Sequence, residues 1–403
     1  MRRVEIYQGN APVQADRAGI GGAIFFDPER PSNLRPTAGG MLGSFGAKSG
    51  WAYAGVGSAR SAAAVGIQHE EVANDYAYVS DRGTRFEPGN AQTLRRRNAG
   101  VRTTDVWALG TTNIGASGRL DLLFNGVART QGLAGLAVLP TEQANAAQQR
   151  QLAAVAVTVP CGDERCTVTA TTATLFGHAI TDDPLEERGL GSRRLESTAA
   201  RVDESIFVRV GLSKRVALTS VVRGAVEHLA INSATARLLR ARRFTTTGAA
   251  LVEWSVSRFA TLRALTHVAC DATGSGTSRD ANGASACGAV TPSARAGAEV
   301  GSRAVKLLAN VARHGRVPTL GERYGISASV RGSEALVPEA AVAGDIGVRC
   351  ETSVLNVEVF TETISGHVRA RVRLANVLDQ PRFDLVGFPL SGRALYASMD
   401  VQW

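Results

Sequence analysis

The sequence has no apolar run long enough to cross a membrane as a helix. Such a helix needs about 20 consecutive apolar residues, yet the hydrophobic 44% of the 403 residues is scattered among polar residues. Because only helices and closed barrels satisfy all backbone hydrogen bonds inside a bilayer, a membrane-spanning form of this chain must be a β-barrel. The apolar stretch of a secretory signal is also missing, since Glu5 and Gln8 follow Met1-Arg2-Arg3. An outer-membrane barrel therefore requires that the true N-terminus lies upstream of Met1.

Lysine is nearly absent, so arginine supplies almost all of the positive charge behind the net charge of +9. Nucleic-acid-binding proteins place such charge in a recognisable module or among aromatic residues, and neither accompanies Arg95-Arg96-Arg97 or the run 237–243. No nucleic-acid partner is predicted. The charge instead suits anionic ligands or the phosphates of lipopolysaccharide, or it simply reflects a GC-rich genome.

No catalytic or metal-binding arrangement is present either. The histidines are scattered without the spacing of a metal site, and the glycines at 19–22 are not followed by the βαβ unit of a dinucleotide fold. The acidic pairs Glu70-Glu71 and Asp182-Asp183 are interpreted as charges at loop edges. The sequence therefore predicts neither an enzyme nor a cofactor.

The pattern that is present is alternation of apolar and polar residues, which indicates strands with two different faces. In the segment Arg393–Trp403, every second residue from Leu395 to Trp403 is apolar, whereas Tyr396, Ser398 and Asp400 are polar. The same alternation occurs at 119–125, 206–213, 355–359 and 367–378. Repeated segments of this kind are typical of transmembrane β-barrels. A large soluble β-sandwich or β-solenoid is the alternative.

Short and long connections alternate along the chain, which favours the barrel. Tight turns are predicted near 59–61, 113–118, 160–166 and 212–215, and long polar loops near 74–98, 131–149, 178–200, 227–240, 270–292 and 314–339. Outer-membrane barrels have short periplasmic turns and long extracellular loops. We therefore predict an all-β fold, an antiparallel transmembrane β-barrel of roughly 16 strands.

The five cysteines suit an oxidising compartment. Cys161 and Cys166 close a tight polar loop, and Cys270 and Cys287 bracket a loop of small polar residues, so one disulfide is predicted within each loop. Zinc is the rival interpretation, but the spacings do not fit and no histidine is close. Cys350 is left over, as a small buried or lipid-facing residue.

Three stretches carry a resemblance to a known family. The first joins residues 3–10 (RVEIYQGN) to 18–24 (AGIGGAI), the second joins 316–325 (RVPTLGERYG) to 336–339 and 345–348, and the third joins 374–379 (LANVLD) to 387–393 (GFPLSGR) before the terminal strand. In this order they resemble the end of the plug, a barrel motif and the C-terminal ending of the TonB-dependent receptors. These receptors are outer-membrane active transporters of Gram-negative bacteria.

The resemblance implies a domain division and several residue roles. Residues 1–36 are expected to be the C-terminal remnant of a plug domain, and 37–403 the outer-membrane barrel. The plug motif residues are Arg3, Glu5, Gly9, Gly21 and Gly22, and Tyr396 with Trp403 corresponds to the terminal signal read by the barrel-assembly machinery. Most of a plug is missing, and roughly 16 strands fall short of the 22 of plugged transporters. The chain is therefore interpreted as a truncated, shortened relative with roughly 16 and up to 22 strands, or as the product of an incomplete gene model.

Ligand contacts are predicted on the first long loop and in the lumen. The loop residues are Asp75, Tyr76, Tyr78, Arg82 and Arg85, whose composition suits a polar chelate; an ordinary loop with tyrosines at the membrane interface is the alternative. Arg369, Arg371 and Arg373 share one face of a strand and are predicted to line the lumen. There they attract anions or pair with acidic residues of neighbouring strands.

The activity implied by the resemblance is energised uptake of a bulky, scarce nutrient, such as a ferric siderophore, across the outer membrane. The implied partners are the TonB energy-coupling complex, the barrel-assembly machinery, outer-membrane lipid and lipopolysaccharide, and a small-molecule chelate. The alternatives are a passive pore or non-functional truncated barrel, and a soluble secreted β-rich binding protein.

Overall fold

The structure is a computed structural model of the whole chain. It describes all residues except 1–2, 8–12, 14–22, 28–30, 32–34, 81–88, 90, 137–138, 163–164, 189–192, 234–238, 277–287, 303–304, 326–331, 351–367, 376–393 and 403.

Within the described residues, a single antiparallel sheet of 16 strands dominates the fold. Its strands are β3 (Thr37–Gly43), β4 (Ala47–Gly57), β5 (Ser61–Val72), β8 (Val101–Ile114), β9 (Gly118–Gly132), β10 (Asn145–Pro160), β11 (Cys166–Asp182), β12 (Arg194–Gly211), β13 (Val216–Ser233), β14 (Leu239–Ser257), β15 (Ala260–Gly276), β16 (Ala289–Gly301), β17 (Val305–Arg316), β18 (Glu339–Cys350), β19 (Val368–Ala375) and β20 (Ala394–Gln402). The prediction of roughly 16 antiparallel strands is confirmed.

Strand order follows the chain, with two exceptions. Strand β5 pairs with β8, because a separate two-stranded sheet of β6 (Ala77–Ser80) and β7 (Gln92–Arg95) lies between them in sequence. The C-terminal strand β20 pairs with β3, the first strand of the sheet, with Tyr396 opposite Gly43. The pairing of β20 with β3 joins the last and the first strand of this sheet in chain order, as the topology of a barrel requires. The edge strands of the described sheet are β18 and β19.

Two further elements stand apart from the large sheet. Strands β1 (Arg3–Tyr7) and β2 (Ala23–Asp27) form a two-stranded sheet at the N-terminus. Helix α1 (Leu320–Tyr324) lies between β17 and β18. Within the described residues, no helix is long and apolar enough to span a membrane.

The two faces of the large sheet differ in exposure and in chemistry. In β14, Arg243, Thr245 and Thr247 are buried, whereas the intervening Phe244 is exposed. We call the covered face inner and the exposed face outer. Large exposed apolar side chains on the outer face are Val106, Phe124, Val155, Phe176, Val202, Val226, Phe244, Val268, Val290 and Val311. A polar inner face and an apolar outer face are the arrangement of a barrel in lipid.

The strands also have two different ends. Short connections at 58–60, 115–117, 161–165, 212–215, 258–259 and 302–304 lie at one end, which we call the turn rim; the other end is the loop rim. Several predicted loops are wrong in extent, since β13 continues to Ser233 and β14 begins at Leu239, within the expected loop 227–240. Polar residues of this segment lie in strands on both faces, with Glu227 on the inner face and His228 and Asn232 on the outer face.

Candidate functional site

The inner wall formed by β12–β15 carries a buried network of charged side chains. Across adjacent strands, Arg201 lies opposite Glu227, and Glu227 lies opposite Arg243. Arg201 bonds both Asp203 and Glu227, and Arg243 donates from Nε to Glu227 at 2.6 Å. The Arg243 side chain is only 2% exposed. Charges buried this deeply are tolerated because each has a partner of opposite sign.

The network continues onto β15 through Asp271. Its carboxylate lies 3.6 Å from Nε of Arg243 and accepts hydrogen bonds from the Thr245 hydroxyl at 3.1 Å and the Thr273 hydroxyl at 3.0 Å. Four neighbouring strands are thereby joined by charge-assisted bonds on their inner face.

A second ionic cluster lies closer to the turn rim. Arg263 bonds Glu253 at 3.1 Å and Glu299 at 3.2 Å, and Lys306 bonds Glu299 at 2.8 Å. Arg209 approaches Glu253 at 3.7 Å. The inner wall of this half of the sheet is therefore charged but compensated, with cations and anions alternating.

An apolar patch lies on the same wall, and residue 13 of the N-terminal region covers it. Val13, Val221 and Leu251 are buried together, with Phe207 and Leu265 packed against them. Val221 and Leu251 are inner-face positions of β13 and β14. The N-terminal region thus contacts the interior surface of the sheet.

The connection between β17 and β18 folds onto the inner wall near the loop rim. Leu320 of α1 is buried against Leu229, Ile231 and Ala241 of β13 and β14. The Pro318 carbonyl accepts a hydrogen bond from Nη1 of Arg243 at 2.7 Å. One buried arginine therefore holds both the strand network and this connection.

Helix α1 is fixed by its own cap. Thr319 and Glu322 form a capping box, in which each side chain bonds the other residue's backbone N–H. Arg316 bonds Glu322 at 3.0 Å and Glu339 at 2.9 Å. The hydrogen bonds from Arg316 and from the Thr319 amide lower the pKa of Glu322 to about 2.

The predicted ligand cluster on the first long loop is only partly described. Asp75 forms an ion pair with Arg95 at 2.9 Å, the Tyr76 ring packs edge-on against Phe45, and Tyr78 of β6 is buried. Burial raises the pKa of Tyr76. These three residues therefore help to order the loop. Arg82 and Arg85 lie outside the described residues, and ligand binding by the cluster stays a prediction.

Two other connections at the loop rim are tied to each other. The Glu187 carboxylate accepts hydrogen bonds from the backbone N–H groups of residues 142–144, which lowers its pKa. Asp183 in turn accepts from the amides of Glu187 and Arg188. The loop rim is therefore built by local carboxylate–amide bonds, and Asp183 serves there as a structural acceptor, consistent with its interpretation as a loop-edge charge.

The predicted lumen arginines lie on β19, where Arg369, Arg371 and Arg373 are opposite Asp400, Ser398 and Tyr396 of β20. Their role in the lumen stays a prediction. Tyr396 is in β20, and Trp403 lies outside the described residues.

Of the plug motif, Arg3 and Glu5 lie in β1, opposite Asp27 and Phe25 of β2. Gly9, Gly21 and Gly22 lie outside the described residues, so the motif stays a prediction.

The predicted disulfide between Cys161 and Cys166 is present at the turn rim. Cys270 is also disulfide-bonded; its predicted partner, Cys287, lies outside the described residues.

The sequence patterns do not identify the residues that form the buried ionic network. Glu227 and Asp271 stand in segments predicted to be loop, at 227–240 and 270–292, and Arg201 and Arg243 follow predicted loops without any motif. The signal that points to them is charge that recurs on one face of a segment rich in β-branched residues, as at Arg201, Asp203 and Arg209. That pattern places charge on one strand face without showing which charges meet.

Solved structures with a similar architecture are bacterial transporters and receptors. The copper transporter OprC matches with a TM-score of 0.77 and 11% identity, over 99% of this chain and 85% of its own. The siderophore receptor PiuA from Acinetobacter baumannii matches with 0.70 and 9%, over 99% and 86%. The ferric-catecholate import receptor Fiu from E. coli K12 matches with 0.69 and 10%, over 99% and 86%. The chain has the fold of the TonB-dependent receptors.

The likeness to the TonB-dependent receptors is one of backbone architecture, because the identities lie near one residue in ten. No family model and no curated protein matches the sequence. The likeness therefore shows the fold, whereas the function depends on the chain's own surfaces.

Proposed function

We propose that the chain is an outer-membrane receptor of a Gram-negative bacterium that takes up a bulky, scarce nutrient with energy from TonB. The observation that carries the proposal is an apolar outer face around a charged inner wall, on the fold of receptors whose names specify siderophores, ferric citrate and copper. A ferric siderophore or a similar metal chelate is the proposed substrate class.

We assign residues 1–36 to a plug remnant and 37–403 to the barrel. The assignment is supported by the separate sheet of β1 and β2 and by Val13, which packs on the inner wall against Val221 and Leu251. In this scheme the N-terminal region occupies the lumen and the TonB complex acts on it to open a path.

In the proposed mechanism, the loop rim and the inner wall contribute to uptake in different ways. The loop rim, including Asp75, Tyr76 and Tyr78, captures the chelate together with Arg82 and Arg85. The paired charges of β12–β15 keep the wall rigid, because breaking a buried ion pair leaves an uncompensated charge. A rigid wall allows the N-terminal region to move while the lumen keeps its shape.

The test is uptake of radioactive iron by cells that carry the chain, with and without TonB. The probes are ferric complexes of a catecholate, a hydroxamate and citrate. We expect accumulation of iron from at least one complex, only in the presence of TonB. No accumulation above empty-vector cells, with the protein folded in the outer membrane, would reject the proposed substrate class.

A passive pore is the second candidate, in which the predicted lumen arginines Arg369, Arg371 and Arg373 would face the conducting path. Unplugged barrels conduct ions, and lumen arginines select anions. Steady conductance in planar bilayers, with uptake that does not depend on TonB, would support the pore. A barrel that neither conducts nor transports would be the non-functional truncated form.

The soluble secreted alternative conflicts with the outer face. Contiguous apolar surface on a soluble protein leads to association, and here it extends over neighbouring strands. Release of the chain from membranes by carbonate at high pH would nevertheless decide for the soluble form.

A further inference from the structure

Three cationic or protonatable side chains lie together on the outer face near the loop rim: His228, Arg240 and Arg242, which we call the rim patch. His228 of β13 lies directly opposite Arg242 of β14, and Arg240 is two residues closer to the loop rim. All three share the strand face of the exposed Val226 and Phe244. Side chains directly opposite on antiparallel strands are close neighbours, so the three form one surface feature.

The rim patch is not neutralised by the protein. Within the described parts of the chain, neither Arg240 nor Arg242 makes a hydrogen bond or an ion pair. Nδ1 of His228 is buried and has no hydrogen-bond partner. Glu196, on the outer face of the adjacent strand β12, is already bonded to His178 at 2.8 Å. This contrasts with the inner wall, where each cation of the network has an acidic partner.

Open space adjoins the rim patch. Gly274 and Gly276 of β15 lie opposite Arg242 and Arg240. A Cβ atom built on Gly274 would meet nothing within 4 Å. The space beside Gly274 is therefore open next to Arg242, which lies opposite it.

The rim patch is continuous with apolar surface on the side of the turn rim. The next pair of residues, Val226 and Phe244, is 53% and 44% exposed. Cations above an apolar surface match a lipid that has an anionic headgroup above an acyl chain. Free phosphate would use the cations only, and a carboxylate would make less use of two adjacent guanidinium groups than a phosphate with its several acceptor oxygens.

We propose that the rim patch binds the headgroup phosphate of a membrane lipid in the leaflet on the side of the loop rim, with the acyl chains along Val226 and Phe244. The inference rests on the proposed function, because it requires the outer face to stand in a bilayer. It adds a specific lipid site on the outside of the barrel.

The test uses the folded chain purified in maltoside micelles, with lipid A carrying two phosphates as the probe. Its matched controls are enzymatically dephosphorylated lipid A and free inorganic phosphate. The variant R240Q/R242Q removes two positive charges. Each arginine near an anionic lipid contributes about 1 kcal/mol to the binding free energy, so we expect the variant to bind lipid A roughly thirtyfold more weakly. The variant R240K/R242K should keep most of the affinity, because lysine still binds phosphate as a point charge.

The variant K214Q/R215Q removes the same charge from the exposed turn rim and should bind lipid A like the original chain. Equal binding by the original chain and R240Q/R242Q would overturn the inference, as would equal binding of dephosphorylated lipid A or competition by millimolar inorganic phosphate. Membrane insertion is measured separately, by carbonate resistance and by heat-dependent migration in gels. A chain that fails to insert contradicts the proposed function, whereas an inserted chain without a lipid preference contradicts only this inference.

Discussion

At the scale of single residues, Arg243 links three elements on the inner wall. It contacts Glu227 and Asp271 on the strands to either side and the Pro318 carbonyl of the inward-folded connection. Removing one partner of a buried ion pair leaves the other charge buried without compensation. Removal of Arg243 therefore should affect the wall and helix α1 together.

We expect Arg243→Met to destabilise the folded chain by about 3–5 kcal/mol, because Asp271 and Glu227 lose a buried partner. Denaturant unfolding in detergent measures this. Arg209→Met is the matched control, since Arg209 is 59% exposed and 3.7 Å from Glu253, and such pairs contribute about 1 kcal/mol or less. Similar losses in the two variants would show that the buried network is not special.

The stability of the folded chain is expected to depend on pH through Glu322. Because hydrogen bonds from Arg316 and the Thr319 amide depress its pKa from 4.5 to about 2, the ionised carboxylate stabilises the folded state above pH 4.5. That contribution disappears as the pH falls from about 4.5 through about 2. The difference in melting temperature between the original chain and Glu322→Gln should therefore be present at pH 7 and shrink through this window. A difference that stays constant down to pH 2 would contradict the assignment.

The pairing of individual charged residues across strands could not be predicted from the sequence. The alternation around Arg201 shows that several charges share a face, but the partner of Arg201 on β13 is fixed by strand register. Local polarity predicts a loop at Glu227 and at Asp271, although both residues lie in strands. On the wall of a barrel, a polar residue in a strand is ordinary, so polarity alone cannot separate strand from loop.

At the scale of strands, three aromatic rings lie over glycines of a neighbouring strand. They are Trp51 over Gly39, Trp107 over Gly66 and Tyr396 over Gly43. A glycine leaves room for the ring to lie against the backbone, and the ring covers the exposed glycine. Alternation predicts the strand of Tyr396, yet its contact with β3 pairs the last strand of the chain with the first strand of the sheet and cannot be predicted from local sequence.

We expect Gly66→Ala to cost about 1–3 kcal/mol, the range for overpacking. A Cβ atom there would come within 2.8 Å of Nε1 of Trp107, so the ring must move. Gly248→Ala is the control, since a Cβ at that position on β14 meets nothing within 4 Å. Urea unfolding in detergent should show a loss for Gly66→Ala only, and Gly66→Ala in a Trp107→Ala background should cost less.

At the scale of the whole molecule, the general architecture could be predicted and the filling of the interior could not. Alternation with period two predicts the approximate number of strands, and the alternation of short and long connections predicts the two rims. Both patterns are visible in the local sequence because every strand of a barrel wall repeats them. The contact of Val13 with Val221 and Leu251 joins positions more than two hundred residues apart and leaves no trace in either segment. Such contacts decide whether the interior is open or occupied.

Substitution of Val13 therefore tests whether the N-terminal region obstructs the interior of the sheet. We expect Val13→Asp to increase ionic conductance in planar bilayers, because a buried carboxylate without a partner is unfavourable in the apolar patch and should detach the N-terminal region from the wall. Val4→Asp is the matched control, since Val4 in β1 is 47% exposed and its substitution leaves the patch intact. Higher conductance in Val13→Asp alone would place the N-terminal region across the conducting path. Identical conductance of the original chain and both variants would mean that the region lines the wall without obstructing it, and the proposed plug remnant would lose its support.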